Sequence, residues 1–391
     1  MILALIGALC LATLFTLPFV YIFLLSIVWT TTHPFIEYLL IVAMLILYVY
    51  IWLMVLYRYR RHAWLSFRKQ LFMVVPFLSC IVFLLATFGY DMWENRYEIK
   101  GTEVNLSEYK PFHSYKIATL NKESQFQIKD ELVRLDGATA LYPVYASFVQ
   151  ALYPKDEYDP YVSEIVSCTT TPTAYGRLLE KKTDLIFVAA PSSKQEEMFK
   201  KQKEELVKVP IGKEAFVFFV NKDNPVTNLS SKQIRDIYSG KITNWKEVGG
   251  KDEKIRAFQR PEGSGSQSAL IRFMNGQSIM KPMTKDVPAG MGAIISVTAE
   301  YENRDNAIGY SFRFYTQAMK KSNKIKLLQI DGVAPTVEHI RDDIYPITSP
   351  FYAVYVKGNE NKNLMRLINW IQSDEGQQLI EKTGYVSIIQ K

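Results

Sequence analysis

The chain has 391 residues, with 46 Lys+Arg against 39 Asp+Glu and a formal net charge of +7. That length exceeds one ordinary compact domain and suits two or three. The positive excess is small and scattered without a basic block, which argues against nucleic acid as a partner. The four dispersed histidines have no Cys or His neighbour at metal-ligand spacing, so neither a metal nor another cofactor is expected.

Residues 1–90 differ from the rest. Three apolar runs, at about 2–29, 35–57 and 71–90, are each long enough to cross a bilayer, which takes about 20 residues. The linker at 30–34 has no Lys or Arg, whereas the next carries Arg58, Arg60, Arg61, Arg68 and Lys69. The positive-inside rule then puts that second linker and the N-terminus in the cytoplasm, and everything after Tyr90 outside. The first run lacks a basic n-region, so it reads as a retained span of a multi-pass cell-membrane protein rather than a cleaved signal. Cys10 follows the bulky Leu9, which disfavours lipid attachment. Cys80 also lies in an apolar run, so Cys168 is alone in the polar part and no disulfide forms there.

Residues 91–115 are polar with little periodicity and read as a linker. From 116 to 391, short apolar strands alternate with amphipathic helices. Strands are predicted at 132–135, 184–189, 215–220, 255–258, 307–310 and 351–356. Helices are predicted at 140–152, 174–181, 231–238, 266–274, 294–301 and 363–372. The alternation argues an α/β domain with largely parallel sheets, in two lobes.

Three strand-to-helix turns share one chemistry. In Leu135-Asp-Gly-Ala-Thr139, Gly137 permits the turn and Thr139 fits an N-cap. In Cys168-Thr-Thr-Thr-Pro172, Thr171 fits the N-cap and Pro172 the first helical position. Arg260-Pro-Glu-Gly-Ser-Gly-Ser266 adds a fixed positive charge, with Glu262 placed to orient Arg260. A single such hydroxyl is usually a structural cap. Helix-start N–H groups and hydroxyls from several turns, together with one guanidinium, suit a tetrahedral oxyanion.

At these residues the chain resembles the phosphate-binding proteins that serve phosphate ABC transporters, in the type II periplasmic-binding-protein fold. The likeness runs from about 132 to 388. It includes Asp136-Gly-Ala-Thr-Ala140, Gly240-Lys-Ile-Thr-Asn-Trp245, the Arg260–Ser266 turn, Ala307-Ile-Gly-Tyr310 and Glu375-Gly-Gln-Gln378. The resemblance implies two lobes joined by crossing strands, one of about 116–210 and 350–391, the other of about 211–349. It implies anion ligands at Thr139, at Thr170 or Thr171, and at Arg260, Ser264, Gly265 and Ser266. It further implies inorganic phosphate or a similar oxyanion as ligand, clamped in the cleft, and an ABC permease as membrane partner.

Two departures stand out. The phosphate-specific members have an Asp that accepts a hydrogen bond from protonated phosphate, and that position falls on Ala189, which leaves Asp136 or Glu262 as substitutes. Three spans are also more than tethering needs, which favours an oxyanion sensor or cell-surface interaction protein as the alternative. No Gly-x-Ser-x-Gly elbow and no P-loop occurs, so an enzyme is not expected.

Overall fold

The computed structural model describes residues 103–282, 291–300 and 305–389. The three apolar runs lie outside these residues. Among the described residues, no helix is long and apolar enough to cross a membrane.

Among the described residues, ten strands form: β1 (Leu135–Gly137), β2 (Leu185–Ala189), β3 (Leu206–Asn221), β4 (Asn228–Leu229), β5 (Arg256–Ala257), β6 (Ala307–Phe312), β7 (Ile325–Leu327), β8 (Gln329–Ile330), β9 (Thr348–Val356) and β10 (Val386–Ser387). The main sheet runs β1-β2-β9-β3-β6-β5, with β7 and β10 also on β3, and β4 pairs β8 separately.

β3 organises the molecule. Its first part pairs with β9 from Leu206 to Ala215, and its second part pairs with β6 from Phe216 to Val220. One strand thus carries the chain from one lobe into the other. The second part, Ala215-Phe-Val-Phe-Phe-Val220, is buried throughout, the pattern of a strand covered on both faces. Each buried Phe contributes about 1.5–3 kcal/mol relative to exposure.

Two cores flank this crossing. One gathers Leu135, Phe148, Phe187, Leu367 and Trp370. The other gathers Phe218, Trp245, Leu270, Ile294 and Ile308.

The sheet is mixed rather than largely parallel. β1–β2 and β5–β6 are parallel, but β2–β9, β3–β9 and β3–β6 are antiparallel. The cause is the crossing pair, since β3 and β9 run against each other and against the lobe strands beside them.

Residues 103–115, expected within a linker, are instead packed. Leu106 and Tyr109 lie on a 3₁₀ turn and are buried in the first core. Val104 and Phe112 pack beside them, and these scattered apolar side chains dock the stretch without leaving a periodic signal.

Gly137 closes β1 where the first turn begins. A Cβ there would stand 2.4 Å from the backbone oxygen of Phe187, its partner in β2. Gly137→Ala should therefore lower stability by about 1–3 kcal/mol through backbone displacement. Denaturant unfolding followed by tryptophan fluorescence checks this, and an unchanged midpoint would contradict the packing.

Candidate functional site

The second turn is built on a buried carboxylate. Asp136 on β1 accepts from the backbone N–H groups of Gly137 (2.7 Å) and Thr169 (2.8 Å), and from Thr169 Oγ1 at 2.8 Å. Arg177 Nε lies 2.9 Å from Asp136 Oδ2, as an ion pair rather than an aligned hydrogen bond. These contacts engage Asp136 in holding the 168–171 loop against β1, so it is not a spare acceptor for a ligand.

The loop then enters the helix Thr171–Leu179 through Thr170, at φ 79° and ψ 159°. That region is nearly confined to glycine and costs about 1–3 kcal/mol for other residues. The helix starts one residue earlier than expected. Thr170 is the flanking residue, exposed and without a side-chain cap bond, and Thr171 is the first helical residue and buried.

Thr139 is not the cap of a long helix either. It opens a 3₁₀ turn, Thr139–Leu141, because Pro143 fits the start of the helix Tyr142–Leu152 that follows. Beside this turn the buried Cys168 thiol donates to the Gly137 carbonyl at 3.7 Å, and burial pushes the thiol up to about 12. That thiol is inert at neutral pH.

The third turn fixes its arginine from the backbone. Arg260 N donates to Gln267 Oε1 at 2.9 Å and to Tyr310 Oη at 2.8 Å, and the Tyr310 hydroxyl also donates to Gln267 Oε1. Ser264 caps the helix Gly265–Phe273 by accepting from Gln267 N at 3.2 Å, which leaves its own O–H free to donate. Ser266 Oγ is buried with no partner among the described residues.

Arg260 is only 9% exposed as a residue, and its guanidinium Nε and Nη1 are buried with no hydrogen-bond partner among the described residues. Burial lowers its proton affinity, and the charge of Glu103 opposes that. Glu262, expected to orient Arg260, points into solvent instead. An arginine stays protonated even so. A buried cation with unpaired donors is costly unless an anion completes it.

The second and third turns meet. A Cβ on Gly265 would lie 3.3 Å from Thr171 Oγ1 and 3.8 Å from Ala189 Cβ. Thr171, Ala189 and Gly265 line one cavity with Ala138, Ala140 and Glu214. Thr139 is not in that lining, although its neighbours are. The lobes also touch through Gln195 Nε2 to the Gly263 carbonyl (3.3 Å) and Arg272 Nη1 to the Ala190 carbonyl (3.2 Å).

Glu214 stands where β3 passes from β9 to β6. Its two oxygens accept from Ala215 N (2.8 Å) and Phe314 N (3.0 Å), and Arg313 Nε is 3.7 Å away. Burial pushes its carboxyl up to about 7, with Arg313 working against the shift. Among the described residues, no cluster of His, Cys, Asp and Glu could hold a metal ion.

The sequence reading missed Gln267, Gln195, Glu214 and Glu103. Gln267 had a signal, since it stands three residues after Ser264 in the spacing of a capping pair. Gln195 had the same signal, three residues after Ser192 at the start of the helix Ser193–Lys201, whereas Glu214 in β3 and Glu103 in a loop are single polar residues to which only tertiary packing gives a role.

The family model of the PBP superfamily domain matches residues 118–375, more than half of the chain. The chain belongs to this family. It is 30% identical over 172 residues to the phosphate-binding protein PstS of Bacillus subtilis, covering 43% of this chain and 53% of that protein, about half its length. Against the phosphate-binding protein PstS of Staphylococcus epidermidis it is 27% identical over 265 residues, 64% of this chain and 77% of that one. Among solved structures, it resembles a putative phosphate ABC transporter substrate-binding protein with bound phosphate from Clostridium perfringens. That likeness has a TM-score of 0.52 at 25% identity and covers 66% of this chain and 99% of that one. The two-lobed α/β fold follows from these matches.

Glu214 gives the family's joint a pH signature here. Its folded value of about 7 lies above the ordinary 4.5. On raising the pH through 4.5 the unfolded chain releases this proton, whereas the folded chain keeps it until about 7. Its contribution to stability is therefore full below 4.5 and is lost as the pH rises to 7, by roughly 3 kcal/mol. The stability difference between wild type and Glu214→Gln should shift against the wild type by that amount from pH 4.5 to 7.5. Denaturant melts at the two pH values measure it, and a flat difference would contradict the burial of an ionisable carboxyl.

Proposed function

We propose that the chain is an extracytoplasmic solute-binding protein that holds inorganic phosphate or a similar oxyanion between its two lobes. The observation that carries this is the buried guanidinium of Arg260 with Nε and Nη1 unpartnered. In the same turn, Ser264 keeps a free O–H, Ser266 Oγ is unpaired, and the first helical residue Gly265 meets Thr171 of the other lobe. The arrangement supplies donors from two helix N-termini and one fixed cation, which is the chemistry a tetrahedral anion requires.

Arg260, Ser264, Gly265 and Ser266 act from lobe 2 (about 211–349), and Thr171 acts from lobe 1 (about 116–210 and 350–391). Thr170, exposed and without a cap bond, stands beside Thr171 as a further lobe 1 hydroxyl, and Thr139 supports the neighbouring turn. The named function of the two PstS relatives and the phosphate bound in the Clostridium perfringens protein support phosphate as the ligand. Binding occurs without catalysis, and delivery to an ABC permease follows from the same relatives.

By their hydropathy and flanking charges the apolar runs at 2–29, 35–57 and 71–90 anchor the protein as three spans, with the N-terminus inside. An anchor of three spans also suits a sensor that reports anion occupancy to a membrane partner.

Calorimetric titration of the full chain in detergent with phosphate tests the reading. Saturable binding is expected, and Arg260→Ala should weaken it by roughly 2–5 kcal/mol, because the anion loses its charge partner. No binding by folded wild type, or full affinity in Arg260→Ala, would overturn it.

A further inference from the structure

A second cavity opens in lobe 2, on the chain that follows β6. Its volume is about 690 Å³, inside the range of about 300–1,000 Å³ that small-molecule sites occupy. It shares no lining residue with the cavity at Thr171 and Gly265. Three cations line it, Arg313, Lys321 and Lys326, and among the described residues no Asp or Glu does. A cleft lined by one sign of charge concentrates ions of the opposite sign.

The cations are placed and keep donors to give. Arg313 is buried, at 9% exposure. Its Nη2 donates to the Gly384 carbonyl at 2.8 Å, and its Nε lies 3.7 Å from Glu214 Oε1 as an ion pair without an aligned hydrogen bond. These contacts hold the guanidinium in position and leave most of its N–H groups unspent. Lys326 Nζ donates to the Asn224 carbonyl, a neutral acceptor that satisfies one of its three donors. Lys321 is exposed. Ser322 Oγ accepts from Lys324 N at 3.3 Å, which leaves its O–H to donate. Between Arg313 and Lys321 the wall is a π-helical turn, Tyr315–Met319, with Thr316 and Gln317 on the lining. Such turns are rare and are frequent at functional sites. The remaining wall is partly apolar, with Ile325, Leu327 and Pro335. An inorganic oxyanion would leave that wall uncovered, whereas an anion with a carbon skeleton uses both parts of the lining.

We propose that this cavity is a second binding site, for a small organic di- or trianion. Arg313, Lys321 and Lys326 hold its carboxylate or phosphate groups, and Ile325, Leu327 and Pro335 cover its carbon skeleton. The site stands apart from the oxyanion reading above, because it uses none of the residues of the Arg260–Ser266 turn.

The test is calorimetric titration of the full chain in non-ionic detergent with sodium citrate and with adenosine monophosphate, for wild type, Lys321→Glu and Arg260→Ala. Arg313 also holds Gly384, so the exposed Lys321 is the position whose change leaves the fold intact. Wild type should bind at least one of the two probes at one-to-one stoichiometry. Lys321→Glu should weaken that binding roughly tenfold or more, with an unchanged thermal midpoint, since an attraction becomes a repulsion. Arg260→Ala should bind as wild type does. Citrate alone assigns the site to carboxylates, adenosine monophosphate alone to phosphate esters, and both together to the anionic charge they share. Folded wild type that binds neither probe overturns the proposal. Binding that Lys321→Glu leaves unchanged, or that Arg260→Ala abolishes, also overturns it, the latter because the probe then sits in the cleft. Wild type that fails to bind inorganic phosphate but binds a probe in this way sinks the oxyanion reading and supports this site.

Discussion

A guanidinium taken out of water and left with unpaired N–H groups is the constraint on which the rest of the site depends. Arg260 is held there by force of its surroundings. Its backbone N–H is shared between Gln267 and Tyr310, and Gln267 is itself tied to the cap of the next helix through Ser264. This network fixes the backbone from which the arginine side chain leaves the turn. The guanidinium lies buried there, and the missing hydrogen bonds fall to a ligand. The opposite wall is equally constrained, since Asp136 and the strained Thr170 backbone fix where the second helix starts. Strain of this kind persists only where the surroundings over-determine it.

The joint between the lobes explains how two rigid walls can share one ligand. β3 belongs to both cores, and the change of partner from β9 to β6 occurs between Ala215 and Phe216. Glu214 sits at that change and accepts from both β3 and the chain after β6. Lobe movement must bend this region, and cross-lobe bonds such as Gln195 to Gly263 form or break with it. A ligand that contacts both lobes shifts the population toward the touching arrangement by the amount of that double contact.

Much of this was legible in the residues because it is local. The spacing of apolar residues located β2 and β6 and the helices Ser231–Tyr238 and Leu364–Ile371 to within about two residues. The Arg260–Ser266 turn was readable from its charge, its glycines and its hydroxyls. The first half of β3 was not: Pro210 and Gly212 are poor strand formers, and they sit at a register shift in a strand long enough to absorb it. The helix start near Thr171 was misplaced by one residue, since the tract Thr169–Thr171 allows several capping registers, and the one near Thr139 by more, since Pro143 sets the first turn of the helix that follows. Glu103 and Glu214 were invisible for a different reason. Each acts through groups far away in the chain, and no local pattern encodes such a meeting.

The most direct measurement is a crystal structure of the full chain grown with arsenate, a tetrahedral analogue of phosphate whose arsenic is located by anomalous scattering. The account places one anomalous peak within hydrogen-bonding reach of the Arg260 guanidinium, with Thr171 Oγ1 and the Gly265 N–H on its other sides. A peak elsewhere, with Arg260 still unpaired, would contradict it.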